Sequence, residues 1–151
     1  MSDKISFASP EDAPAILALE EECFSMPHTL PQIGHELDDG IHHYLCAREN
    51  GCLVGYVSYS LIADEIYIGN VAVEPEFRRQ GIGSALIDEL ISQAEGCGAV
   101  FITLEVRDGN APARALYESK GFQYIAYVKD YYSAPKEDAV IMTLFFPRSK
   151  S

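Results

Sequence analysis

Two arginines and two glycines stand close together in Arg78-Arg79-Gln80-Gly81-Ile82-Gly83-Ser84, between an apolar β-branched segment and an amphipathic one. The chemistry this suits is anion binding. A helix N-terminus carries unpaired N–H groups and a partial positive charge. Glycines let an anion approach the backbone closely, and the arginines add charge beside it. A nucleoside triphosphate, a dinucleotide or coenzyme A would each fit. The first requires Gly-Lys-Ser/Thr, but Ser84 and Ala85 follow Gly83. The second requires a third glycine where Leu86 stands, and a first glycine directly after the strand; Gly81 comes eight residues after Val73. Glu105, roughly 20 residues further on, would suit a ribose hydroxyl, yet two mismatches outweigh that match. On the glycines alone, a helix start that merely needs a tight turn remains open.

Further segments add to this loop. They are Leu104-Glu105-Val106-Arg107 with Asn110, then Ala115-Leu116-Tyr117-Glu118-Ser119-Lys120-Gly121-Phe122, then Tyr131-Tyr132 with Glu137-Asp138-Ala139. With Arg78-x-x-Gly81-x-Gly83 after Val71-Ala72-Val73, the chain resembles the GNAT N-acetyltransferases, and within them the bacterial ribosomal-protein-alanine N-acetyltransferases. The likeness is strongest from Ile66 to Met142. It implies acetyl-CoA as co-substrate, with the pantetheine arm along Val71, Ala72 and Val73. The pyrophosphate would lie on the loop from Arg78 and Arg79 through Gln80, Gly81, Ile82 and Gly83 to Ser84. Asn110 would reach the pantetheine while capping its own helix.

The implied reaction needs a neutral amine. An α-amine titrates roughly 2.5 units below a lysine, a difference of about 3.4 kcal/mol in deprotonation cost, so one modest base can serve an N-terminal acceptor. Glu105 is the candidate base. It interrupts an apolar strand, and burial there would raise its pKa; pairing with Arg107 is its structural alternative. Tyr117 resembles the family's general acid. Full proton transfer from a tyrosine to a thiolate is uphill by about 2 kcal/mol, so a hydrogen bond to the developing thiolate is the larger part of that role. His28, Tyr131, Tyr132 and Asp138 are candidates for the acceptor side. The family usually has Pro-Trp-Ser where this chain has Pro27-His28-Thr29. That departure keeps a small amine or a lysine side chain open as the acceptor. A CoA-binding regulatory module without turnover is the alternative from another class, against which Glu105 and Tyr117 both argue. A dinucleotide oxidoreductase is more distant.

The elements that must position these residues can be read in order. Ile5 to Ala8 forms a strand. Ser9 and Pro10 start a helix that buries Ala13, Ile16, Leu17, Cys23 and Phe24 and exposes Glu20, Glu21 and Glu22. Thr29 and Gln32 cap a short helix ending near Leu37. Tyr44 to Arg48 and Leu53 to Leu61 form a hairpin through Asn50-Gly51, and the Ile66 to Val73 strand completes an antiparallel meander. A helix follows, burying Ile82, Leu86, Leu90 and Ala94, and Gly96-Cys97-Gly98 ends it. Val100 to Val106 is a central strand parallel to its predecessor. Asn110 caps a helix through Lys120. Phe122 to Val128 and Val140 to Phe146 are the last strands, joined by a polar, tyrosine-rich stretch from Lys129 to Asp138. With the resemblance, the expected fold class is α/β (α+β): one GNAT domain over 1–151, with a mixed, mostly antiparallel twisted sheet of about seven strands flanked by helices. In the resembled fold, strands 4 and 5 splay apart.

With 151 residues and 48% hydrophobic content, the chain can bury a core. No run approaches the ~20 apolar residues of a membrane helix. The Met-Ser-Asp-Lys start has no secretory segment, and no two cysteines form a Cys-x-x-Cys pair, so a cytoplasmic protein with reduced thiols is expected. A net charge of −12 opposes direct nucleic-acid binding and favours a cationic acceptor such as a basic polypeptide, which the resemblance implies would be a ribosomal protein. The four histidines have no ligand-like spacing to carboxylates or thiolates, and no metal is expected.

Overall fold

The computed structural model describes residues 4–133 and 135–147. The leading Met-Ser-Asp triplet, and with it most of the start judged free of a secretory segment, lies outside them. Side-chain alternation decides which face each strand presents. In β2 (His42–Glu49), Leu45 and Ala47 face one buried cluster while Tyr44 and Cys46 face a second. In β3 (Cys52–Ile62), Val57 and Tyr59 join the first and Tyr56 the second. The sheet is therefore apolar on both faces and requires helices on both. On one side lie α1 (Ala13–Cys23), which contributes Ala13, Ile16 and Leu19, and α2 (Leu30–Glu36), which contributes Ile33. On the other lies α3 (Ile82–Cys97), burying Leu86, Ile87, Leu90 and Ala94.

Among the described residues seven strands make one sheet in the order β1-β2-β3-β4-β5-β7-β6. The remaining strands are β1 (Ile5–Phe7), β4 (Glu65–Val73), β5 (Phe101–Arg107), β6 (Gln123–Ser133) and β7 (Lys136–Phe145); α4 (Ala111–Ser119) precedes β6. Every neighbouring pair is antiparallel except β4–β5, which is parallel. The Asn50-Gly51 hairpin turn forms as expected, with φ of 52° and 80°. The Thr29–Gln32 capping box also forms, Thr29 N–H donating to Gln32 Oε1 at 2.7 Å. Among the described residues no helix is long and apolar enough to cross a membrane.

Two local expectations change. The last hairpin extends into the polar, tyrosine-rich stretch that was expected to lie between its strands: Tyr132 pairs with Glu137 and Ser133 with Lys136. Asp138 makes this extension workable, because its carboxylate accepts the N–H of Asp130 at 2.7 Å where the strand bulges at φ 55°. Glu20 was expected on a solvated face with Glu21 and Glu22. It is fully buried, and Tyr56 donates to it at 2.7 Å. A buried carboxylate needs such donors.

Candidate active site

β4 and β5 pair only where Glu65 to Tyr67 face Phe101 to Thr103. Past that point β4 bulges: Ser58 of β3 opposes Asn70 while Tyr59 opposes Ile68, leaving Gly69 as the extra residue. Ser58 Oγ accepts the Asn70 N–H at 3.0 Å, and a Cβ on Gly69 would sit 3.1 Å from that oxygen. An isolated glycine in an apolar strand is a recognisable bulge signal. The ladder does not resume. A cavity of about 500 Å³ opens between Ile68–Val71 on one wall and Leu104–Arg107 on the other. This is the splay expected between strands 4 and 5.

The glycine loop lies at the end of β4. After a short 3-10 turn (Pro75–Phe77), Arg79 takes φ 64° and Gly81 φ 82°. A left-handed arginine is uncommon, and such backbone strain clusters at functional sites. Gly81 is the α3 N-cap and brings no capping side chain. Ala85 N–H donates to Gly81 O at 2.9 Å, so Ile82, Gly83 and Ser84 precede the first intrahelical donor and, among the described residues, present free N–H groups. Arg79 and Gln80 are exposed beside them. Arg78 is turned back instead: its Nε donates to Val73 O at 3.0 Å and its Nη2 lies 3.5 Å from Cys23 Sγ. Of the β4 residues expected to meet a ligand, Val71 lines the cavity. The Ala72 side chain is buried under α1, and the Val73 carbonyl is engaged by Arg78.

Glu105 and Tyr117 both line the slot, with Asn110. β5 buries Ile102, Leu104 and Val106, and alternation places Glu105 on the opposite side. Burial of Glu105 was expected, but the residue is exposed. Among the described residues its carboxylate has no hydrogen-bond or ion-pair partner. The structural alternative of an Arg107 pair is not what forms, since Arg107 meets Glu137 at 3.4 Å, Pro135 O at 2.9 Å and the Tyr132 ring face at 4.2 Å. Tyr117 is buried, its ring 5.4 Å from that of Phe122. Burial, then the neighbouring Tyr132, push its hydroxyl up to about 12. Asn110 Oδ1 accepts the Ala113 N–H at 3.2 Å, which leaves its amide donors available.

Tyr131 and Tyr132 line the slot, ring to ring at 5.0 Å. They also line an adjoining cavity of about 470 Å³ with Cys23 to Met26. Asp138 lies outside both cavities: it accepts from Tyr127 and Asp130 and braces β6 against β7. His28 lines neither cavity and is held by Glu20 and Glu36. Phe24, Asn70 and Arg107 are slot residues that the sequence pattern did not single out as such. Only the glycine bulge could have pointed to Asn70.

The Acetyltransferase (GNAT) family matches residues 13–122. The ribosomal protein bS18-alanine N-acetyltransferase of Escherichia coli strain K12 is 33% identical over 142 residues, covering 93% of this chain and 95% of that protein. Its counterpart in Salmonella typhimurium strain LT2 is 34% identical over 143 residues, covering 93% and 95%. Among solved structures, the ribosomal-protein-S18-alanine N-acetyltransferase from Escherichia coli aligns with a TM-score of 0.87 at 32% identity, covering 97% of this chain and 95% of that one. The family match takes in the β4 bulge, the glycine loop, Glu105 and Tyr117 together. This chain belongs to the GNAT acetyltransferase family.

Proposed function

We propose that this protein transfers the acetyl group of acetyl-CoA to the N-terminal α-amine of a protein, with the N-terminal alanine of a ribosomal protein as the leading acceptor. The observation that carries the reading is the splayed β4–β5 slot with Glu105 and Tyr117 both on its walls. The acceptor class rests on the relatives, which are named for that activity over nearly their whole length. The cavity beside Tyr131 and Tyr132 leaves room for a peptide next to the reacting amine. A cytoplasmic setting fits such an acceptor and the four free cysteines.

The residues divide the work. The N–H groups of Ile82, Gly83 and Ser84 would hold the pyrophosphate at the α3 N-terminus. The unpaired β4 edge at Val71 would align the pantetheine arm as an added strand, with Asn110 donating from the other side. Glu105 would take the amine proton, directly or through one water, and Tyr117 would donate a hydrogen bond to the departing thiolate.

The acceptor is tested by mass spectrometry on an equimolar panel of free-N-terminus peptides, N-blocked lysine peptides and polyamines. Faster acetylation of the α-amine peptides is expected, on the deprotonation difference of about 3.4 kcal/mol. An equal or greater rate on N-blocked lysine would replace this reading with a lysine acetyltransferase.

The loop is tested by Gly81→Val. A β-branched residue at φ 82° is strained, and steric conflict in the left-handed region costs about 1–2 kcal/mol. The variant is therefore compared by melting curve as well as by acetyl-CoA titration. A loss of affinity of at least about tenfold, equivalent to about 1.4 kcal/mol, is expected in folded protein. A folded variant that binds like wild type removes the phosphate-loop assignment.

A further inference from the structure

The segment 24–29 joins α1 to α2 and forms one wall of the acceptor side. Phe24 lines the slot, and Phe24, Ser25 and Met26 line the adjoining cavity. Met26 is 80% exposed, so packing does little to fix the wall at that point. What holds the far end is His28. Its backbone N–H donates to Glu20 Oε1 at 2.8 Å, and its ring Nδ1 lies 2.8 Å from the same oxygen. Its Nε2 lies 3.4 Å from Glu36 Oε2. The other carboxylate oxygens are also used: Glu20 Oε2 accepts from Tyr56 at 2.7 Å, and Glu36 Oε1 from Tyr44 at 2.8 Å. Both ring nitrogens thus face carboxylates, one on α1 and one on α2. A buried Glu20 deprived of these donors would be costly, which ties the loop to the helix core. His28 and Glu36 also line a cavity that meets Asn70, a residue of the slot wall.

We infer that His28 is a positioning residue for the acceptor: it clamps the 24–29 segment between α1 and α2 and so holds the Phe24–Met26 wall ready for the incoming peptide. The inference rests on the acceptor reading above. The clamp is polar, a histidine ring held between two carboxylates. The segment must be in place before the peptide binds, so loosening it lowers the binding-competent fraction and raises the peptide KM in proportion. The step at the thioester, which His28 does not touch, is unaffected.

Steady-state kinetics test this with His28→Leu, His28→Asn and Glu36→Ala, each checked by melting curve. In His28→Leu the peptide KM is expected to rise about tenfold, with kcat at saturating peptide within about twofold and acetyl-CoA KM unchanged. His28→Asn, whose amide can stand in for the Nδ1 donor, is expected to recover most of the loss. Glu36→Ala removes the α2 side of the clamp, together with the acceptor of the Tyr44 hydroxyl, which the melting curve reads separately, and is expected to raise peptide KM several-fold. If His28→Leu does not fold, Glu36→Ala decides: an unchanged peptide KM overturns the clamp. A fall in kcat without a KM change overturns it as well. Should wild type acetylate no peptide, the acceptor reading fails rather than the clamp, and the same KM comparison is made on whichever amine wild type accepts.

Discussion

Glu105→Gln is expected to lower kcat/KM by roughly 10²–10⁴ at neutral pH, the usual contribution of a positioned base. The substitution keeps the shape and removes the proton acceptor. Because Glu105 is exposed and makes no hydrogen bond or ion pair among the described residues, glutamine disturbs no partner. Stability should therefore stay within about 0.5 kcal/mol of wild type. Acetyl-CoA affinity should also hold, because the phosphate donors belong to the start of α3. The deficit should shrink as pH rises from 6 to 9: an α-amine titrating near 7.7–8.0 is about 1–2% neutral at the lower limit and more than about 90% neutral at the upper. At high pH solvent has already done what the base does. The measurement is a pH–rate profile of kcat/KM for both proteins, with melting curves. Parallel profiles across that range would exclude Glu105 as the base and direct attention to Tyr132, which shares the slot.

Tyr117→Phe is expected to lower kcat by roughly 10²–10³, the cost of removing one donor aimed at developing negative charge. The ring packing against Phe122 is retained, so the fold should survive. The pH signature is the opposite of that of Glu105. Burial and Tyr132 hold the Tyr117 hydroxyl at about 12, above the ordinary tyrosine value, so the phenol stays protonated from pH 6 to 9. Its contribution is fully present there and is lost only as pH climbs through the raised value. The Tyr117→Phe deficit should accordingly be flat where the Glu105→Gln deficit narrows. Complete transfer of that proton to a thiolate would be uphill by about 5 kcal/mol, so hydrogen bonding is the better description of the role. A variant retaining kcat within about twofold of wild type would reduce Tyr117 to a packed core residue.

The chemistry was more legible in the chain than the walls around it. Glycine and proline punctuation together with apolar periodicity identified the meander, α3 and the parallel strand, because each is a local pattern. The loop from Arg79 to Ser84 could be named from residue type and spacing, whereas Glu105, Tyr117 and Asn110 were named through the family resemblance. Phe24 could not be placed on the slot. It reaches the slot from just past the end of α1, far in sequence from β4 and β5, and nothing in its immediate neighbours marks it. Glu20 was misjudged for the same reason: its burial depends on Tyr56, 36 residues away, and on His28 beyond the end of its helix. The exposure of Glu105 was hidden because an apolar strand implies burial on both faces, whereas the splay leaves one side open. The long β6–β7 hairpin was missed because a run of polar and aromatic residues reads as a loop until Asp138 is seen satisfying the Asp130 N–H.

The Gly69 bulge has a consequence for how this site tolerates change. Before it, Ile66 and Ile68 belong to the cluster under α3; after it, Val71 packs there while Ala72 turns to the α1 side. The extra residue shifts the in–out phase of the strand by one step, so the two halves of β4 follow opposite parity. Side-chain swaps along the slot perturb one contact each. Deleting or inserting a single residue between Ile68 and Val71 would reverse the facing of everything up to the glycine loop, driving Val71 into the space of Ala72 and carrying Arg78 away from the Val73 carbonyl. The cleft is thus governed by residue count more strictly than by residue identity. Along this strand the chain can drift in composition far more freely than in length.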